Sequence, residues 1–170
     1  METSFHMKSV TFVSQLEAET MEPRRDTAML SVTDPGEPAV LQSGWAALLR
    51  VEFIDAYYTQ EEVDRAGKYF RRCFVGYMMQ EHTDKVRDFL QRVAQDRKIT
   101  RLVVHCLHGR RRSTAVALYA ADYYNFHLEK EVTQLNRFVY YMLKDKMAPA
   151  GDEWRFAPLS RPALELVVHG

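Results

Sequence analysis

The stretch Arg101–Thr114, RLVVHCLHGRRRST, constrains the fold more than any other part of the chain. Leu102, Val103 and Val104 form a short apolar run suited to a buried strand, and the alanine-rich AVALYAADYY that follows Thr114 predicts a helix. Between them lie a cysteine, a glycine, three consecutive arginines and two hydroxyl residues. A strand that turns into a helix through a tight loop brings unpaired backbone N–H groups and the helix amino terminus to one point, which is a ready anion site. Cys106 stands at the strand's carboxyl end, where such surroundings favour the thiolate. The pattern predicts a nucleophile facing an anion.

The rest of the chain supplies further strand–helix alternation. Val10–Ser14 and Thr27–Thr33 are β-branched and predict strands, the first followed by a short helix over Gln15–Glu22 and the second by the turn Asp34–Pro38. Leu48–Phe53 predicts a third strand, and Arg101–His105 the fourth. From Glu61 to Asp96, apolar residues recur at three- and four-residue steps, with Gly76 between two helices. A last amphipathic helix is expected over Leu128–Leu143, with Val132, Leu135, Val139 and Met142 inward. Alternation of this kind implies a three-layer α/β/α domain on a central, mainly parallel, four-stranded sheet. Ligands of such sheets bind beyond the carboxyl ends of the strands. Asp34, Asp55 and Cys106 each follow a strand and so fall on that one rim.

One domain over residues 1–170 fits the length. Residues 1–6 are read as a disordered or added start, because Met7 opens the more natural beginning, and residues 149–170 as an irregular tail with an ambiguous LELVV run. The 23 basic and 23 acidic residues cancel, which argues against a general nucleic-acid or membrane binder and makes any positive field local. Sixteen of the basic residues are arginine, the better residue for two-pronged phosphate recognition. Two cysteines make no disulfide framework, and neither a signal peptide nor a membrane-spanning run is visible, so a cytoplasmic protein without a membrane anchor is expected.

Cys106 and Arg112 stand in the spacing C-x5-R. That spacing alone is common, but here His105 precedes the cysteine, Gly109 lies three residues after it and Ser113 follows the arginine. The run HCLHGRRRS resembles the signature of the protein tyrosine phosphatase superfamily, H-C-x-x-G-x-x-R followed by serine or threonine. The chain's size and late cysteine are most similar to the compact dual-specificity-type members of bacteria and phages. The likeness is strong over Arg101–Ala120 and compatible over Thr27–Asn136.

The chemistry accounts for these residue types. Hydrolysis of a phosphate monoester needs positioning and charge stabilisation above all. The loop amides of Leu107, His108, Gly109, Arg110 and Arg111 and the guanidinium of Arg112 would hold the phosphoryl oxygens. Cys106 would attack phosphorus and form a phosphocysteine. Gly109 would let the backbone curl its amides inward. The resemblance further implies that Ser113 donates to the thiolate, that His105 orders the loop by hydrogen bonding, and that no metal or other cofactor takes part. One carboxyl group can protonate the leaving oxygen and later deprotonate the attacking water. The family carries it on a loop after an earlier strand; Asp55 in EFID is the first choice, Asp34 in the TDPG turn the second and Asp64 the third.

These residues also have plainer readings. Cys73 is most simply an ordinary buried thiol, with a disulfide to Cys106 as the minor option. Arg110 and Arg111 serve equally well as solvated charges or as a basic rim. For His108, which stands where many family members carry a small residue, crowding of the loop, substrate contact and solvent exposure all stay open. Asn136 and Arg137 resemble a pair found in some relatives, yet a solvated helix face is the simpler account. The tyrosines 123, 124, 140 and 141 read as packing residues. The expected activity is hydrolysis of phosphotyrosine, with phosphoserine and phosphothreonine next, in a phosphorylated protein substrate. The rivals are a phosphoinositide or RNA 5′-phosphate phosphatase and a phosphate-binding module without turnover.

Overall fold

A computed structural model describes residues 6–151, 153–155 and 159. Five strands form one all-parallel sheet: β1 (Ser9–Ser14), β2 (Thr27–Thr33), β3 (Ala47–Glu52), β4 (Arg101–Cys106) and β5 (His127–Leu128), in the order β3-β2-β4-β1-β5. The helices are α1 (Gln15–Thr20), α2 (Gln60–Ala66), α3 (Phe70–Cys73), α4 (Gln80–Gln95), α5 (Arg112–Tyr124) and α6 (Arg137–Asp145). Among the described residues no helix is long and apolar enough to cross a membrane.

Burial follows the two-residue period of the strands. Leu102, Val104 and Cys106 of β4 face the large core, together with Ala28, Leu30 and Val32 of β2 and Val10 and Phe12 of β1. The helices supply its other side: Val86, Phe89, Leu90 and Val93 from α4, Ala115–Ala120 from α5, and Phe138, Val139, Met142 and Leu143 from α6. Each large apolar side chain so enclosed contributes about 1.5–3 kcal/mol. The alternate residues Val13, Met29 and Val103 face a thinner layer made by Ala18 of α1 with Met21, Leu41 and Trp45. Within β4, then, Cys106 belongs to the thick side and His105 to the thin one.

The structure corrects three expectations. The sheet has five strands, not four, and all pairings are parallel; β5 is only two residues long, too short to announce itself in sequence. The helix expected over Leu128–Leu143 starts only at Arg137, because Leu128 joins β5 and the following residues are bonded to the sheet edge. Glu129 takes Arg101 through two hydrogen bonds, at 2.8 and 2.9 Å, and Lys130 donates to the Phe12 carbonyl. Cys73 is exposed at the end of α3 rather than buried, and both cysteines are free thiols. The expected helical region before Gln95 is interrupted, as Gly76 suggests, between α3 and α4. Residues 1–5 and the LELVV run lie outside the described residues.

Candidate active site

β4 is the central strand, with β2 and β1 on either side, so its carboxyl end opens at the middle of the rim. Residues 107–111 turn the chain back into α5, which begins at Arg112. The turn has a steric condition. Gly109 has φ +67°, and a Cβ there would lie 2.5 Å from the Val13 carbonyl carbon and 2.6 Å from the Ser14 nitrogen. The loop thus lies directly on the end of β1, where Gln15 N–H donates to the Leu107 carbonyl at 3.2 Å. On its other side, the Thr114 hydroxyl donates to the carbonyls of Arg110 and Arg111 at 2.8 and 2.9 Å. Drawing those carbonyls toward α5 leaves the neighbouring amides to face inward.

Cys106 receives them. Burial, the largest influence on this thiol, pushes its pKa up, but the Ser113 hydroxyl and the backbone N–H groups of Ser113, Arg111 and Arg110 together bring it below the ordinary cysteine value. The Ser113 oxygen is 3.1 Å from the sulfur. Against a thiolate only the O–H can donate. His105 sits on the opposite face of β4, fully buried, with Nε2 2.6 Å from the Ser31 hydroxyl of β2, its partner in strand register. Burial lowers the imidazole pKa and so favours the neutral ring. The side chain fastens β4 to β2 just before the loop and turns away from the sulfur.

Arg112 is buried, with 5% of its side chain exposed. Its Nη1 donates both to Asp34 Oδ1 and to the Phe53 carbonyl, each at 2.7 Å. Two strand ends therefore fix the guanidinium, which lines a cavity of about 220 Å³ together with Asp55, Cys106, His108, Arg110, Arg111 and Gln134. Asp55 reaches that cavity from beyond β3, where Arg111 Nε donates to its Oδ2 at 2.9 Å and Asn136 Nδ2 to its Oδ1 at 2.7 Å. Asp34 is bound to Arg112 and lies outside the cavity wall. Asp64 is exposed on α2, accepting from Gln60 at 2.9 Å, and is not brought to the site. His108 takes a place in the wall, and Leu107 is exposed at the rim.

Asn136 departs from its expected place on a solvated face. It is 2% exposed, caps α6 by accepting the Val139 N–H at 3.2 Å, and donates its own backbone N–H to the Arg111 carbonyl at 2.9 Å. Arg137 is half-buried and donates to the Trp154 carbonyl at 3.1 Å. The readable signal was an asparagine just before the apolar-periodic run FVYYML, which marks a helix start. Gln134, also missed, enters the cavity wall from the irregular segment before α6. No signal singles it out.

The site joins a thiol held below its ordinary pKa, inward-facing amides, a fixed guanidinium and a carboxylate across one small cavity. That set can hold a tetrahedral dianion, attack it and exchange a proton with its leaving group. No family model, curated protein or solved structure matches the chain.

Proposed function

We propose that this protein is a cysteine-dependent phosphatase of the protein tyrosine phosphatase type, acting first on phosphotyrosine and second on phosphoserine and phosphothreonine. The observation that carries the reading is the shared cavity. The depressed thiol of Cys106, the buried Arg112 and the carboxyl group of Asp55 all line it. The parallel sheet and the strand–loop–helix around Cys106 are compatible with the fold of that superfamily.

In the proposed reaction the loop amides and Arg112 bind the three non-bridging oxygens of the monoester. The Cys106 thiolate attacks phosphorus in line, and a sulfur–phosphorus bond forms as the bond to the leaving oxygen breaks. Asp55 gives that oxygen its proton. Water then attacks the phosphocysteine while Asp55 takes a proton back, releasing inorganic phosphate and restoring the thiolate. Asp34 acts through Arg112, as a positioning residue.

Release of p-nitrophenol from p-nitrophenyl phosphate in the presence of EDTA is the direct test, with turnover expected across roughly pH 5–7. The Cys106→Ser variant is expected to lose turnover and still bind phosphate. An inactive parent protein that binds phosphate would instead favour a binding module, and activity surviving in Cys106→Ser would remove the assigned nucleophile.

A further inference from the structure

A general acid works only when its carboxyl group is held where it can meet the leaving oxygen. The surroundings of Asp55 decide this. Asn136 bonds through both ends of its side chain. Its Oδ1 accepts the Val139 N–H that opens α6, so the opposite end, Nδ2, must be the one beside Asp55 Oδ1 at 2.7 Å and the Ala56 carbonyl at 3.2 Å. The bonding pattern fixes the amide orientation, because the cap partner can only donate and the other two can accept.

An amide nitrogen never accepts, so Asn136 holds Asp55 Oδ1 as its acceptor. Arg111 Nε donates to the other oxygen, Oδ2, at 2.9 Å, and each oxygen keeps a second lone pair for the proton it carries. We propose that Asn136 is a positioning residue for Asp55, holding the carboxyl group against the cavity. The inference rests on the phosphatase reading. Asn136 suits the task because its backbone N–H also donates to the Arg111 carbonyl at 2.9 Å, so the nucleophile loop, the acid segment and α6 meet at one buried residue.

The helix cap and the amide donor can be separated by substitution. Asn136→Ser keeps a cap acceptor, and its shorter side chain loses the donor toward Asp55. The test compares kcat/KM for phenyl phosphate, whose leaving group needs a proton, with that for 2,4-dinitrophenyl phosphate, whose leaving group does not. Asn136→Ser is expected to lose about tenfold or more on phenyl phosphate while staying within about twofold on the dinitrophenyl ester. The melting temperature should hold within a few degrees in Asn136→Ser and fall in Asn136→Ala, which loses the cap as well. Equal losses on the two esters, or none, would overturn the inference alone. A parent protein that turns over neither ester would overturn the phosphatase reading, and this inference with it.

Discussion

Replacing Gly109 by alanine tests the architecture of the anion loop in one step. Two separate costs arise. The residue has φ +67°, a conformation that costs an L-residue about 1–2 kcal/mol. The added methyl would also stand 2.5 Å from the Val13 carbonyl carbon, 2.6 Å from the Ser14 nitrogen and 2.7 Å from the Val13 oxygen. All three are backbone atoms of the β1–α1 junction and cannot rotate aside as a side-chain tip would. Forcing a methyl into a packed site typically costs about 1–3 kcal/mol, so the variant should lose about 2–5 kcal/mol in all. For a chain of this length that is a fall in melting temperature of roughly 4–20 °C. If the loop lifts off β1 to relieve the contact, the Gln15–Leu107 bond breaks and the amides around Cys106 shift. Turnover should then fall by at least about tenfold, since one misplaced oxyanion donor can cost more than that. Gly36→Ala is the control: its φ is +79° but no heavy atom lies within 4 Å of the added carbon, so only the conformational cost applies. Thermal melts of both variants, with p-nitrophenyl phosphate turnover, decide the matter. Equal stability losses at the two sites would refute the close approach of the loop to β1.

Three further outcomes are expected. Ser113→Ala removes the strongest of the pKa-lowering contacts at Cys106, so the pH midpoint for its alkylation by iodoacetamide, followed by peptide mass mapping, should move upward; an unmoved midpoint counts against the hydroxyl. The same shift bears on stability. With the folded thiol below its ordinary value of 9.0, the unfolded chain binds the extra proton between the two values. The thiolate's stabilising contribution is therefore full above 9.0 and is lost as pH falls through the folded value, and denaturant melts of Ser113→Ala should show a narrower window. Arg112→Lys keeps one charge but loses the planar fork held by Asp34 and Phe53, and kcat should drop about 10²–10³-fold; near-normal turnover would remove the assigned role. Asp55→Ala should slow poor leaving groups about tenfold more than good ones, whereas Asp34→Asn should slow both alike, and the reverse pattern would exchange the two roles.

Much of this protein is legible in its sequence because the deciding interactions are local. β2 follows its β-branched run from Thr27 to Thr33, and α5 starts at Arg112, just ahead of the alanine-rich run that predicts it. The segment after Leu128 shows the limit of periodicity. Leu128, Val132 and Leu135 do pack on the core and Val139 and Met142 are buried within it, so the inward positions were read correctly while the conformation was not. Spacing reports which side chains turn inward. It does not report that Glu129 and Lys130 are bonded to β1 and β4, which holds this stretch in an irregular course until Asn136 can cap a helix.

The wiring of the carboxylates lies further from view, for a related reason. Asp34 and Asp55 are both acidic, both follow a strand and both reach the same rim, so nothing local to either one assigns its partner. Strand order does. β2 lies against β4, and the residue leaving its carboxyl end is at once beside the guanidinium that starts α5, 78 positions away in sequence; its carboxylate is taken up by Arg112. β3 is the outer strand, and its chain runs two residues past Glu52 before Asp55, far enough to come back over the rim and meet Arg111 and the amide of Asn136, 81 positions away. Were β2 and β3 exchanged in the sheet, the same two aspartates would stand in each other's surroundings. The proposed division of labour between a positioning carboxylate and a proton-carrying one is therefore a property of the sheet's order, set by the packing of β3, β2 and β4, which no single stretch of sequence contains.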